Sequence, residues 1–331
     1  MYEADPSRYE NMTYTRCGRS GLLLPQISLG LWHNFGETGS YENMKRMCFT
    51  AFDHGITHFD LANNYGPPGG AAEVNFGRIV REEMRAHRDE MIISTKAGHK
   101  MWEGPYGDWG SRKYLLASLD QSLKRLGLEY VDIFYHHRQD PDTPLEESLL
   151  ALETAVRSGK ALYAGISRYD AETTARAVAF MRERNCPFII HQCRYSLFDR
   201  TMERNGVKER THREGLGMII FSPLAQGMLT DRYLDGIPAD SRVRTDGRFL
   251  KETDITAQKI ETALQLRKIA AERGQTLAQM ALSWILRDGD ITSVLIGASR
   301  PEQILENLKM LGHTEFSAEE RRKIDALTAQ Y

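Results

Sequence analysis

The sequence predicts a (β/α)8 barrel, the TIM-barrel architecture, with an N-terminal β-hairpin, a long loop after the seventh strand and an extra C-terminal helix. Three observations predict it. Short apolar, β-branched runs recur eight times along the 331 residues. Segments of helical periodicity separate them, as parallel βαβ units covered on both faces require. The runs end on polar residues, and a barrel of this kind builds its active site at the C-terminal ends of its strands. The length suits one barrel, so 1–331 reads as a single domain.

The elements follow in order. Residues 12–24 hold Gly18 and Gly21 between apolar positions and read as a hairpin closing the bottom of the barrel. The strand runs lie at 27–31, 58–62, 91–96, 130–137, 161–167, 188–193, 217–223 and 291–298. Helical patterns lie between them at 42–54, 71–86, 111–126, 144–158 and 171–184, with a weaker one near 203–213. Residues 224–256 are rich in Gly, Pro, Asp and Arg. A loop that long inside a compact domain is uncommon unless it is functional or disordered. Helical stretches at 257–273 and 277–286 precede the eighth run, and one at 301–311 follows it. The last segment, 317–329, reads as an added helix with Ser317 as N-cap and Glu320 completing a capping box.

Composition narrows the function. A formal net charge of −2 lacks the electrostatic footprint of a nucleic-acid binder or a cationic membrane surface. Residues 1–10 are polar and lack the pattern of a signal peptide. The longest apolar runs, such as 218–221, are far too short to span a bilayer, so the expected location is the cytoplasm. Cys17, Cys48, Cys186 and Cys193 form no Cys-x-x-Cys pair and no zinc spacing, so no metal is expected and all four read as small buried hydrophobes in a reducing compartment.

The strand ends carry the chemistry. The second run holds Asp60 near its end and is followed closely by Tyr65; the third ends on Lys96 and the fourth on His136 and His137. The fifth ends on Ser167 and Arg168, the sixth on His191 and Gln192, the seventh on Phe221 and Ser222, and the eighth at Gly297 and Ser299. An inward Asp and Lys on adjacent strands would be costly unless paired. Together these groups suit carbonyl reduction, which needs a hydride donor and a proton donor at the carbonyl oxygen. A phenol holds its proton at neutral pH, and a cationic neighbour lowers its pKa. Lys96 can be that neighbour for Tyr65, Asp60 can hold Lys96 charged and oriented, and His137 can donate to the same substrate oxygen.

No Gly-x-Gly-x-x-Gly follows the first strand, so a Rossmann site is not indicated. The phosphate candidate is the helix start after the last strand, with Ser299 and Glu302 at capping-box spacing and Arg300 suited to a 2′-phosphate. Trp32, Met101, Trp102, Tyr106 and Trp109 fall on or near loops after the first and third strands and could wall a small carbonyl; His99 and Lys100 could attract a substrate phosphate.

On these residues the chain resembles the aldo-keto reductase superfamily along essentially its whole length. The stretch 55–66 resembles the family's Asp…Tyr signature, 93–96 its lysine strand, 130–137 its histidine strand, and 297–307 its segment for the 2′-phosphate and adenine of NADP. Through 29–36, 221–227 and 236–238 it most resembles the bacterial L-glyceraldehyde 3-phosphate reductase subgroup, with the β-subunits of voltage-gated potassium channels as near relatives. The resemblance implies an NADPH-dependent enzyme that reduces small aldehydes, including methylglyoxal and glyceraldehyde 3-phosphate, and assembles as a homo-oligomer, a tetramer or octamer.

By the same resemblance Asp60, Tyr65, Lys96 and His137 form the catalytic tetrad, with Tyr65 as acid, and Trp32 and Trp102 join Tyr65 and His137 at the substrate. Trp32, Ser167, Arg168 and Gln192 line the nicotinamide pocket, with Asp60 beside it; Phe221 stacks on the ring, and Ser222, Leu224 and Gly227 meet the pyrophosphate. Arg232 and Arg242 close over the cofactor, while Gly297, Ser299, Gln303, Glu306 and Asn307 hold the 2′-phosphate and adenine. Arg232 stands where relatives often have Lys, which keeps the charge, and His136 where they have a small residue. A cofactor-binding redox sensor, as in the channel subunits, is the alternative; those carry Asn where this chain keeps His137. An aldolase using Lys96 as a Schiff-base nucleophile would leave Tyr65 and Asp60 unexplained.

Overall fold

The strand runs are largely apolar, and both of their faces are covered. In the computed structural model they pair in parallel into a closed ring with helices outside. The structure describes residues 2–239, 241–245, 247 and 250–331, with 242 and 245 described by their backbone alone. Strands β1 (Tyr14–Arg16) and β2 (Leu23–Pro25) form the antiparallel hairpin. The ring holds β3 (Ile27–Gly30), β4 (His58–Asp60), β5 (Ile92–Ala97), β6 (Val131–His136), β7 (Ala161–Ser167), β8 (Phe188–Arg194), β9 (Gly217–Phe221) and β10 (Ser293–Ile296). β10 pairs with β9 on one side and β3 on the other, which closes it.

Helices α1 (Tyr41–Asp53), α2 (Ala71–Ile79), α3 (Arg112–Leu126), α4 (Leu145–Arg157) and α5 (Ala171–Glu183) follow β3 to β7 in turn. α6 (Thr201–Arg204) and α7 (Val207–Glu214) follow β8, and α8 (Arg242–Thr245) lies in the long loop after β9. α9 (Ala257–Glu272) and α10 (Leu277–Leu286) precede β10; α11 (Pro301–Leu308) and α12 (Ala318–Thr328) come after it. The expected box caps α12: Ser317 Oγ accepts from the Glu320 amide at 3.2 Å and the Glu320 carboxylate from the Ser317 amide at 2.6 Å. No helix among the described residues is long and apolar enough to cross a membrane.

Two helices depart from the expected pattern. The stretch 71–86 is α-helical only to Ile79, then widens into a π turn at Val80–Met84 and tightens into a 3-10 turn at Arg85–Glu90. The widened turn places both Val80 and Met84 in the core. The stretch near 203–213 is split into α6 and α7 at Gly206, whose φ of +74° breaks the helical hydrogen-bond ladder. Cys17, Cys48 and Cys193 are buried as expected, but Cys186 is only half-buried because it borders a surface crease with Arg19, Tyr163 and Phe188.

The core has two layers. Outside the ring, helix faces pack on the strands; inside it, Ile133, Tyr135, Ile190, Ile219 and Leu295 fill the barrel. Tyr135 fits because its β7 neighbour is Gly165: a Cβ there would sit 2.8 Å from the Tyr135 ring. Cys17 and Leu24 of the hairpin segment belong to this inner cluster and are fully buried. The turn docks on the N-terminal side of β9, where the Arg19 amide donates to Gly215 O at 2.9 Å. The hairpin is therefore the bottom plug that the sequence indicated.

Several buried histidines set the acid stability. Burial pushes His58 and His136 down to about 4 and His191 to about 3. The unfolded chain titrates these groups near pH 6.5. Between those values the unfolded state binds protons that the folded state refuses, so stability falls as pH drops from about 6.5 toward 4. These three rings alone should cost about 4 kcal/mol per pH unit in urea unfolding between pH 6 and 5, roughly one proton each, and His99 and His137, also held down by burial, add to the slope. A slope near zero in that window would show that the rings are solvated or charged when folded.

Candidate active site

The polar strand ends converge because parallel strands of similar length bring their last residues to one rim. Register places Asp60 beside Ser94, and Lys96 beside Tyr135. Asp60 and Lys96 are both buried and pair at 2.6 Å, Lys96 Nζ to Asp60 Oδ2. Nζ also donates to the Leu61 carbonyl at 2.5 Å. The other Asp60 oxygen accepts from Ser94 Oγ at 2.7 Å and from Gln192 Nε2 at 3.1 Å. The carboxylate is thus fully engaged, and the ammonium keeps one proton to direct elsewhere.

Tyr65 stands over that ammonium, its ring centre 5.0 Å from Nζ, on the turn after β4. Its ring lies 6.0 Å from the His137 ring and 6.4 Å from Trp32. Burial raises the phenol's pKa above its ordinary value; Asp60 adds to the rise and Arg168 opposes it. Burial outweighs the lowering expected from Lys96, whose charge the Asp60 carboxylate at 2.6 Å partly offsets. Burial instead draws Lys96 below the usual lysine range, against the pull of Asp60. His137 is held neutral, chiefly by burial and then by Lys96.

His136 and His137 part company. His136 belongs to β6 and faces away from Tyr135, where Nδ1 meets the Tyr169 hydroxyl at 2.7 Å. Gly110 makes room for it, since a Cβ there would sit 2.6 Å from the imidazole. His137 follows the strand and turns to Tyr65, with the His99 ring 4.5 Å away. Arg138 then ties down the loop after β5, donating to Gly98 O at 2.6 Å and Asp108 at 2.7 Å, with its guanidinium 3.5 Å from the Trp109 ring.

The expected aromatic wall is only partly assembled. Trp32 lies beside Tyr65, but Trp102 packs on Tyr114 at 5.1 Å, and Lys113 rather than a site residue sits over Tyr106. Lys100 is exposed and paired with Glu103 at 2.8 Å, so of the two candidate phosphate attractors only His99 is at the site.

The remaining candidates line the rim beyond the tetrad. Ser167 is buried and its hydroxyl has no partner among the described residues. Arg168, at φ +57°, lies 4.9 Å from the Phe221 ring. Ser222, Ala225, Gln226 and Gly227 all have positive φ, so the loop from Ser222 through Leu224 to Gly227 winds tightly, with the Ala225 and Gly227 amides donating to Ser222 O and Leu224 O at 3.0 and 2.9 Å. Arg232 is exposed in a 3-10 turn. Arg242 opens α8, but its side chain lies outside the described residues.

At the last strand one expectation is corrected. Ser299 does not cap α11; Arg300 holds the N-cap position and Pro301 is the first helical residue. Proline suits that position, which leaves Ser299 one residue too early to reach the helix amides. Its amide and hydroxyl contact Gln303 Oε1 instead, at 2.8 and 3.2 Å, and Glu302 lies 3.7 Å from Arg46. Gly297 and Ser299 are exposed, Glu306 accepts from Gln279 at 2.8 Å, and Asn307 is buried. The unpartnered Ser167 hydroxyl, the tightly wound loop after β9 and the start of α11 all lie at or just after strand ends of the barrel, a lining that fits a dinucleotide.

Sequence reading passed over Ser94 and gave His99 only a peripheral place. Strand alternation held the signal for Ser94: two residues before Lys96, it shares the inward face. His99 sits beyond a strand end on a loop, where no periodicity applies.

Residues 26–329 match the family described as Aldo/keto reductase family. The L-glyceraldehyde 3-phosphate reductase of Escherichia coli (strain K12) is 56% identical over 328 residues, 98% of this chain and 95% of that protein. The protein of the same name from Escherichia coli O157:H7 is 55% identical over the same spans.

Proposed function

The chain belongs to the aldo/keto reductase family and is an oxidoreductase, and from that premise we propose that it reduces small aldehydes, L-glyceraldehyde 3-phosphate and methylglyoxal among them, with NADPH. The observation that carries the reading is the buried Asp60–Lys96 pair lying under Tyr65 at the mouth of the barrel. The relatives' printed name supports the phosphorylated three-carbon aldehyde.

The nicotinamide, when bound, supplies hydride to the carbonyl carbon. Trp32, Asp60, Ser167, Arg168, Gln192 and Phe221 surround its place; Ser222, Leu224 and Gly227 serve the pyrophosphate; Arg232 and Arg242 close over it. Gly297, Ser299, Gln303, Glu306 and Asn307 take the 2′-phosphate and adenine. Tyr65 donates its proton to the carbonyl oxygen as negative charge develops there. His137, neutral, donates a hydrogen bond to the same oxygen and orients the aldehyde. Lys96 holds its remaining N–H for the phenolate that Tyr65 becomes, and Asp60 keeps Lys96 in place. Trp32, beside Tyr65, bounds the substrate.

Specific activities over an aldehyde panel, with NADPH against NADH, test the reading. Absence of turnover despite tight NADPH binding would favour the sensor instead. Arg300 is exposed at the start of α11, where a 2′-phosphate would arrive. Arg300→Ala should raise KM for NADPH about tenfold, the worth of one charge-assisted hydrogen bond, and leave KM for NADH unchanged. Equal effects on both cofactors would place the 2′-phosphate elsewhere. The reading includes a cytoplasmic homo-oligomer, a tetramer or octamer, which sedimentation velocity checks.

A further inference from the structure

Below the tetrad, the barrel interior carries polar side chains that carbonyl reduction does not call for. Ser28 on β3, His58 on β4, Ser94 on β5 and Ser293 on β10 are all fully buried and point inward among Tyr135, Ile219 and Leu295. They form one unbroken line. Ser293 Oγ lies 2.6 Å from Ser28 Oγ, Ser28 Oγ 3.0 Å from His58 Nδ1, His58 Nε2 2.9 Å from Ser94 Oγ, and Ser94 Oγ 2.7 Å from Asp60 Oδ1. Apolar residues would fill this space with no polar group to satisfy, so four buried polar side chains in register call for a reason.

Proton accounting gives the line one direction. Asp60, paired with Lys96, can only accept, so the Ser94 hydroxyl proton points at it. Ser94 Oγ must then accept from His58, which places the imidazole proton on Nε2. A neutral imidazole has one N–H, so Nδ1 is bare and accepts the Ser28 hydroxyl proton. Ser28 has spent its proton and accepts from Ser293. Burial supports the neutral ring, pushing His58 down to about 4; the charges that face it are Asp60 on its own strand and Lys96 on β5. Every donor in the line points toward Asp60.

We propose that His58 is a positioning residue for the reduction: with Ser293, Ser28 and Ser94 it forms a one-way hydrogen-bond line that fixes one Asp60 oxygen, so that the other holds Lys96 beneath Tyr65. The line acts through Asp60 and touches no substrate. It rests on the tetrad reading above. Aligned donors polarise one another, so the far serine strengthens the near one. Removing a link loosens the carboxylate without emptying the mouth of the barrel.

The test has two readouts. In protein labelled with 15N-histidine, nitrogen shifts at pH 7 should show His58 neutral with its proton on Nε2. Ser28→Ala leaves Nδ1 without its donor, so the Nδ1 shift should move toward that of a bare imidazole nitrogen while Nε2 keeps its proton for Ser94. In the same variant kcat for methylglyoxal should fall about fivefold, the worth of one hydrogen bond, with KM and NADPH affinity unchanged. His58→Gln, which can donate at one end and accept at the other, should retain more kcat than His58→Leu. If His58→Leu does not fold, Ser28→Ala carries the comparison, since it keeps the ring. An imidazolium or an Nδ1 proton at pH 7 overturns the proposal, as does a Ser28→Ala kcat within twofold of wild type. The tautomer is read without turnover, so an enzyme in which Tyr65→Phe retains its rate sinks the tetrad reading and leaves the direction of the line measurable.

Discussion

Tyr65→Phe is expected to lower kcat for methylglyoxal by about a thousandfold while leaving NADPH affinity unchanged, because it removes one oxygen and no packing. General acid catalysis by a placed side chain contributes on the order of 10² to 10⁴. Tyr65 has the features for the upper half of that range: it stands over Lys96 and faces His137, and burial keeps its proton in place. The raised phenol has a consequence for pH. An acid works below its pKa, so Tyr65 loses no competence below about pH 10. A fall in kcat at lower pH than that belongs to Lys96, whose ammonium burial draws below its usual range. A variant retaining a tenth of the rate would remove Tyr65 as the proton source.

Lys96→Met is expected to fail in two ways at once. Turnover falls with the loss of the charge that stabilises the phenolate. Stability falls because Asp60, buried and hydrogen-bonded to Ser94 and Gln192, loses its counter-charge. Breaking a buried pair from one side costs about 3–5 kcal/mol. The orphaned carboxyl is pushed up, so it takes a proton at low pH and resists ionising; the deficit grows as pH rises through its folded value. Urea midpoints at pH 5 and pH 8 should therefore diverge for Lys96→Met and converge again for Lys96→Met with Asp60→Asn. The double variant should recover stability but no activity. Equal losses in single and double variants would mean the pair is solvated.

Much of the barrel was legible because its strands are unusually explicit. Runs such as 161–167, bounded by turns, leave little choice of register or length, and observed β7 (Ala161–Ser167) coincides with the reading. What was misread lay where one backbone choice overrides periodicity: Gly206 splitting a helix, a π turn at Val80–Met84, Pro301 moving the N-cap from Ser299 to Arg300. The residues of the tetrad were legible as strand-end polar groups, but their influence on one another was not. Whether Lys96 lowers the Tyr65 pKa depends on a 2.6 Å ion pair, and sequence carries no distances. His136 and His137 likewise separate only once β6 fixes which face each one takes.

The hairpin plug has a kinetic side. Cys17 and Leu24, fully buried in the inner cluster, close the lower end of the barrel among the described residues, which leaves the rim as its mouth. Water that trades deuterium with the hydroxyls of Ser28 and Ser293 is then expected to enter from the rim, where Tyr65 and Trp32 stand. Filling the mouth from above should therefore slow a clock several residues below it. The exchange rate of a buried serine proton becomes a gauge of occupancy at the mouth, read from the sealed end.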